Sequence, residues 1–456
     1  MRLGPDTLAH LPRDVGTCPY DREAQEIGIV HFGIGAFHRA HQAWYTDCAM
    51  AAGDRDWGIC GVSLRSPDVA RQLNPQGGLY TLTERQGDAA QTRVIGAVRE
   101  VLYAPDQAGA VVTRLADPAC HIASFTVTEK GYARGQDSGL DLAAARGSFY
   151  PLLAQGLAQR RALGLGGLTL LSCDNLAENG RVLALLMEQW LAADMPEMVE
   201  WFTRECRVPS TMIDRIVPRS GPQDLDELEQ RLGMSDAGAV FTERFSQWVI
   251  EDDFAGPRPQ WENHGVELVD DVAPFETAKL RMLNGAHSLL AYCGLEAGYT
   301  YVHEAVANPR LAALAERLMR DEAIPTITAA FGQDLAAYAG QLMQRFADPA
   351  LMHRLDQIAM DGTQKIPQRW LDTAAELVRR GQPCDAIATG FAAWVWHLHD
   401  GRFVDDPHGE QLRTLAADAG VEGLVARCFG PCRSGVALWA DYAHLGEIIL
   451  SHRHEP

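Results

Sequence analysis

No apolar run in the 456-residue chain approaches the ~18 residues needed to cross a bilayer. Its opening, "MRLGPDTLAHLPRDVG", holds no apolar core of signal-peptide length. These absences predict a soluble, cytoplasmic protein. Positive charge is also scarce. Lys and Arg total 40 against 60 Asp and Glu, a formal net charge of -20, which opposes binding to nucleic acid or an anionic membrane. A zinc pattern is missing as well. Of ten cysteines only Cys428 and Cys432 lie close together, around Gly430 and Pro431, and no second pair completes a ligand set. The cysteines read as reduced thiols, mostly buried, without a disulfide framework.

The composition is that of an ordinary globular protein, 47% hydrophobic, long enough for two or three domains. Up to about residue 215 short apolar segments alternate with helical ones. "IGIVHFG" and "DWGICGVSL" read as strands around the helix "RAHQAWYTDCAMAAG", which ends at Gly53. "VVTRLAD", "HIASFTVTE" and "GLTLLSCDN" are read as further strands, the last leading into the helix "AENGRVLALLMEQWLAADM". Such alternation predicts a parallel sheet covered by helices. From about Pro274, "FETAKLRMLNGAHSLLAYCG", "NPRLAALAERLMRDEA", "TAAELVRRG" and "IATGFAAWVWHLHDG" are helices punctuated by Gly and Pro. The expected class is α/β: a Rossmann-type N-terminal domain over 1–275 and a mostly α-helical C-terminal domain over 276–456.

In "GIVHFGIGAFHRAHQAWYTD", Gly33 and Gly35 stand between a strand and a helix, the context of a dinucleotide-binding turn. The first glycine permits the tight turn, and the second lets backbone approach a pyrophosphate at the helix N-terminus. His38 occupies the place of the usual third glycine, and with Arg39 it adds possible donors near a phosphate. His38 and His41 are three apart, a spacing that can hold a metal, but no carboxylate or third histidine joins them; a metallohydrolase is therefore set aside, and no metal is expected. After the second strand, Arg65, Ser66 and Asp68 occupy the place that contacts the adenosine ribose. Asp68 favours NAD through the ribose hydroxyls, while Arg65 and Ser66 would tolerate a 2′-phosphate.

"ETAKLRMLNGAHS" carries the second signal. On a regular α-helix at ~100° per residue, Glu276, Lys279 and His287 fall within roughly 80° of arc, with Asn284 a further step round. The run around them is apolar enough to be buried, and buried polar groups need partners or a substrate. Oxidising an alcohol requires a base for the hydroxyl proton and donors for the oxygen. A partly desolvated Lys279 suits the first need. Asn284 and His287 suit the second, joined by Asn175 at the end of the strand "LTLLSC", and Glu276 suits relay of the proton to water. A cofactor-binding sensor without turnover is the reading of a different class, and it has no use for such a base.

The blocks "IVHFGIGAFHRAHQ", "TVTEKGY", "SCDNLAENG", "TMIDRIVP", "KLRMLNGAHS" and "QIAMDGTQKIPQR" together resemble the mannitol dehydrogenase family, the polyol-specific long-chain dehydrogenases. That family includes mannitol 2-dehydrogenase, arabinitol dehydrogenase and fructuronate (mannonate) reductase. The resemblance implies metal-free hydride transfer with NAD. It makes Lys279 the general base, Asn284, His287 and Asn175 the substrate-oxygen partners, and Glu276 a proton relay. It makes Asp214 a substrate-hydroxyl ligand and Lys365 a basic residue reaching the substrate. Gly33, Gly35, Phe37 and His38, with Thr128 and Glu129 of "TVTEKGY", fall in the cofactor-binding set. Mannitol 2-dehydrogenases tend to carry arginine where this chain has Gln357. The block resembles the fructuronate-reductase branch, whose substrate is a sugar acid, with Lys365, Arg369 and Arg354 available for its carboxylate. The expected partner is a small polyol or sugar acid. Relatives include monomers, and nothing in the sequence marks an interface.

Overall fold

A computed structural model describes residues 1–135, 138–399, 405–430 and 437–446. The chain forms two compact units, Met1–Val272 and Ala273–Pro456.

The first unit is built on a five-stranded sheet of β1 (Ile27–Phe32), β2 (Gly58–Ser63), β5 (Val98–Tyr103), β6 (Ile122–Phe125) and β7 (Thr169–Ser172). The spatial order is β5-β2-β1-β6-β7 and every pairing is parallel. In β1, β2, β6 and β7 nearly every residue is buried, because helices cover both faces of a parallel sheet. The order reverses between β1 and β6, and the crevice outside the carboxyl ends of strands at such a switch point is where doubly wound sheets hold ligands. Two three-stranded sheets complete the unit. In one, β3 (Tyr80–Gln86) lies between β4 (Ala89–Ile95) and β9 (Val240–Glu243). In the other, β10 (Gln247–Glu251) lies between β8 (Thr211–Asp214) and β11 (Val266–Val269).

Three local expectations are corrected. "VVTRLAD" is not a strand but the end of the helix Ala104–Leu115, whose apolar residues Val111 and Leu115 are a turn apart and buried. The helix after β1 is two pieces, Ala36–Ala40 and Gln42–Ala52, broken at His41 (φ -119°, ψ -93°). Between Tyr80 and Tyr103 the chain makes three strands where none was expected, their alternation diluted by polar residues such as the half-buried Glu84 and Arg85 and the exposed Gln91.

The second unit is helical among its described residues. At its centre Gly285–Glu296 is buried continuously from Gly285 to Gly294, the all-round apolarity of a core helix. It packs against Asp385–His399, where Gly390 lets Trp370 and Leu289 approach; a Cβ there would meet the Trp370 ring at 3.1 Å. Three segments are π-helical: Lys279–Asn284, Leu318–Ala323 and Pro367–Leu371. No helix among the described residues is long and apolar enough to cross a membrane. All nine described cysteines are free thiols, seven of them buried, and Cys432 lies outside the described residues.

Candidate active site

In the first unit the glycine turn sits at the switch point of the sheet. Gly33 has φ +89°, and a Cβ on it would lie 2.1 Å from Thr126 O in the loop leaving β6. Only glycine fits there, for conformation and for space. The Gly33 carbonyl accepts from the Thr126 hydroxyl at 2.7 Å, tying the two loops that frame the crevice. A Cβ on Gly35, by contrast, would meet nothing closer than Gly33 O at 3.8 Å, so this backbone is open to a ligand. The loop thus fits a dinucleotide phosphate.

His38 does not reach that open side. Its ring is fully buried, stacked on His31 with centroids 3.4 Å apart, and burial holds it well below the usual histidine range. His31 lies 2.8 Å from both Ser124 Oγ and Thr126 Oγ1. Where a third glycine would give close helix–strand packing, a stacked imidazole fills the space. Arg39 is likewise spent inside, donating to the carbonyls of Gly35 (3.2 Å) and Gly238. His41 packs among Phe37, Tyr45 and Trp248, with Nε2 3.1 Å from Gln247 O. Among the described residues no group of three or more His, Cys, Asp or Glu could hold a metal ion. Beyond β2, Arg65 and Asp68 are exposed, and Asp68 accepts from the Ser66 hydroxyl at 2.5 Å.

At the end of β7, Asp174 and Asn179 organise the edge where Asn175 sits, and neither was singled out from sequence. Asp174 accepts from the Val127 and Thr128 amides and from the Tyr132 hydroxyl, each at 2.9 Å. Burial pushes its carboxyl up, and these three donors pull it back. Asn179 donates to Thr211 O (2.9 Å) and accepts from Thr211 N–H (2.9 Å), docking β8, whose last residue is the buried Asp214. The signal available in the sequence was the polar cluster in "SCDNLAEN" after an apolar strand, which was read for Asn175 alone. Thr128 and Glu129 are exposed on the loop that Asp174 holds.

In the second unit Lys279, Asn284 and His287 are all buried, with 9%, 9% and 7% of their surface exposed. The α-helical arc drawn from sequence is corrected here, because Lys279–Asn284 is a π-helix. In a π-helix, hydrogen-bonded neighbours are five apart rather than four. Lys279 and Asn284 are five apart. They therefore stack on one side of the helix, where regular α geometry at ~100° per residue would set them roughly 140° apart. His287 follows one α-turn later, within Gly285–Glu296. Glu276 lies one turn before Lys279, half-buried on Ala273–Ala278.

The Nδ2 of Asn284 is buried with no hydrogen-bond partner, an unmet donor beside Lys279 and His287 that is available to a ligand. His287 packs against Phe346 (4.7 Å) and edge-on to His353 (5.1 Å). Burial first, then the neighbouring His353 and the guanidinium charges of Arg345 and Arg369, hold it well below the usual histidine range, so its ring is neutral. Arg369 donates to Ser288 Oγ (2.7 Å) and Asn284 O (3.4 Å), and Trp370 Nε1 donates to Gly285 O at 3.0 Å. One π-segment thus braces the carbonyls of another. Arg354 pairs with Asp356 through two contacts, at 3.0 and 2.6 Å, with both residues exposed. Gln357 is exposed next to that pair. Lys365 Nζ donates to Met360 O at 2.6 Å.

A parallel sheet with a glycine turn at its switch point, and a buried lysine–asparagine–histidine set on a helix, together define a dinucleotide-dependent dehydrogenase. The Mannitol dehydrogenase Rossmann domain model matches residues 27–263, and the Mannitol dehydrogenase C-terminal domain model matches residues 271–425. The chain belongs to the mannitol dehydrogenase family of NAD-dependent polyol and sugar-acid dehydrogenases. It is 41% identical to the D-mannonate oxidoreductase of Escherichia coli (strain K12), over 82% of this chain and 81% of that one. It is 36% identical to a mannitol 2-dehydrogenase of Pyrenophora tritici-repentis (strain Pt-1C-BFP), over 94% and 80%. The Pseudomonas fluorescens mannitol 2-dehydrogenase, solved as a ternary complex with NAD and D-mannitol, superposes with a TM-score of 0.83 at 32% identity, covering 99% of each chain.

Proposed function

We propose that this chain interconverts a secondary alcohol of an open-chain sugar acid, D-mannonate, with its ketone, D-fructuronate. The observation that carries this reading is the positive field at His287. Two buried or half-buried guanidinium groups, Arg345 and Arg369, bear on it, in a chain whose net charge is -20. A local field of that sign favours an anionic substrate against the repulsion of the whole. The likeness to a D-mannonate oxidoreductase points the same way.

In this reading Lys279 Nζ, as the free amine, takes the hydroxyl proton while the carbon gives up a hydride. NAD, when bound, supplies the hydride acceptor. The unmet Nδ2–H of Asn284 and one N–H of neutral His287 donate to the oxygen as its charge grows, and such donors act most strongly where water is excluded. We assign the amide of Asn175 to the same oxygen and Glu276 to relay of the proton to water. Asp214 is assigned a substrate hydroxyl. Lys365, Arg369 and Gln357 are assigned to the end of the substrate that bears the carboxylate.

The test follows NADH absorbance on mannonate/fructuronate, mannitol/fructose and arabinitol/xylulose. The proposal expects kcat/KM to be highest on the acid pair. Faster turnover of mannitol would establish the second reading, a neutral-polyol dehydrogenase, which the likeness to the mannitol complex favours.

A further inference from the structure

The loop that leaves β6 is held in a conformation its sequence disfavours. Thr128 has φ +64° and ψ 165°, a region populated almost only by glycine. A β-branched residue stays there only when its surroundings over-determine it. The determinant is Asp174. One carboxylate oxygen accepts the Thr128 amide, and the other accepts the Val127 amide and the Tyr132 hydroxyl, all at 2.9 Å. The loop is gripped at both ends by a single side chain, because the chain reversal at Thr128 and the short 3-10 turn Glu129–Tyr132 bring Tyr132 back to β7. Gly131 makes that closure possible: a Cβ there would lie 2.6 Å from Val127 Cβ. On the other side of the loop, Thr126 donates to Gly33 O of the glycine turn. The same carboxylate precedes Asn175 in the chain.

We propose that Asp174 is a positioning residue that locks Thr128 in its glycine-like conformation and so shapes the cofactor crevice between the β1 and β6 loops before the cofactor arrives. Asp174 touches neither cofactor nor substrate in this assignment. It acts through Thr128 and the Val127 amide, and the strain at Thr128 is the cost of a preformed loop. The inference rests on the dinucleotide reading of that crevice.

The experiment titrates NADH, by its fluorescence, into the full-length wild type, Asp174→Asn, Thr128→Gly and the double variant, with melting temperatures recorded for each. Asparagine keeps the shape but turns one acceptor oxygen into a donor facing N–H groups. Loss of charge-assisted bonds of this kind predicts NADH affinity about ten- to a hundredfold weaker in Asp174→Asn. If Asp174 works by holding Thr128, glycine at 128 reaches the same conformation unaided. The loss caused by Asp174→Asn should then shrink by about tenfold when measured in the Thr128→Gly background, a coupling that a double-mutant cycle reads directly. Equal losses in both backgrounds, or wild-type affinity in Asp174→Asn, would overturn the proposal. Hydrogen exchange on the cofactor-free wild type needs no variant: the Val127 and Thr128 amides should be protected, and rapid exchange at both would overturn it too. Failure of the wild type to bind NADH would instead sink the dinucleotide reading itself.

Discussion

At the scale of single residues, lysine is the telling one. Lys130, Lys279 and Lys365 are the only lysines in a chain with 40 basic residues of both kinds, so arginine carries almost all of its positive charge. Arginine cannot give up its proton near neutral pH, whereas a buried lysine can, and a base for an alcohol must. Lys279→Ala should therefore abolish turnover while NADH still binds; a fully active variant would remove the base assignment. Asn284→Ala removes the unmet donor and should cost about 10²–10³ in kcat, the usual loss for one donor to a developing oxyanion. A change confined to KM would show that Asn284 only binds substrate. These residues were legible in the sequence because their types are dictated by chemistry and their order in the chain is distinctive. Asp174 and Asn179 were not. Their work is to satisfy backbone groups of loops far away in sequence, and no local pattern reports that.

At the scale of elements, the π-helix Lys279–Asn284 is the decisive one. Its wider turn aligns residues five apart, and the side chains of Arg369 and Trp370 bond the carbonyls at its end. Deleting Arg281 should convert the segment to a regular α-helix in which Lys279 and Asn284 stand four apart and still share one face. The expected result is a folded protein, by circular dichroism and melting temperature, that keeps its turnover, because the alignment of the two side chains and not the wider turn serves the chemistry. Loss of turnover in a folded variant would mean that the π geometry itself is required. Sequence reasoning missed the π turn because "KLRMLN" has good helix formers throughout. The extra residue is stabilised by Arg369 and Trp370, some 85 positions away. The same reason hid β3, β4 and β5: their interspersed polar residues mask the period of two, and their pairing partners are set by the sheet.

At the scale of the whole molecule, the helical unit carries a buried carboxylate with a pH signature. Glu322, 2% exposed, accepts the Ala386 and Ile387 amides at 2.7 and 2.9 Å and so caps the helix Asp385–His399. Burial raises its pKa from 4.5 to about 7, against the pull of those two amides. Between these values the native state keeps a proton that the unfolded chain has lost, so the stability this group contributes is fully present below about pH 4.5 and is lost as pH rises towards about 7. The drop attributable to this group is about 3 kcal/mol. Glu322→Gln should flatten the fall in melting temperature between pH 5 and pH 7.5; an unchanged slope would assign it to other groups. The sequence by itself determined the α/β character of the first unit, the glycine turn, the helical second unit and which side chains are candidates for the chemistry. These depend on local periodicity, on backbone freedom at Gly33 and on which groups can move a proton. Only the tertiary structure decided the π turn under Lys279 and Asn284, the inward stacking of His38 and the grip of Asp174 on Thr128. Each of those is a hydrogen bond or ring contact satisfied by a partner that the chain brings close only when folded, and desolvation makes such partners compulsory there.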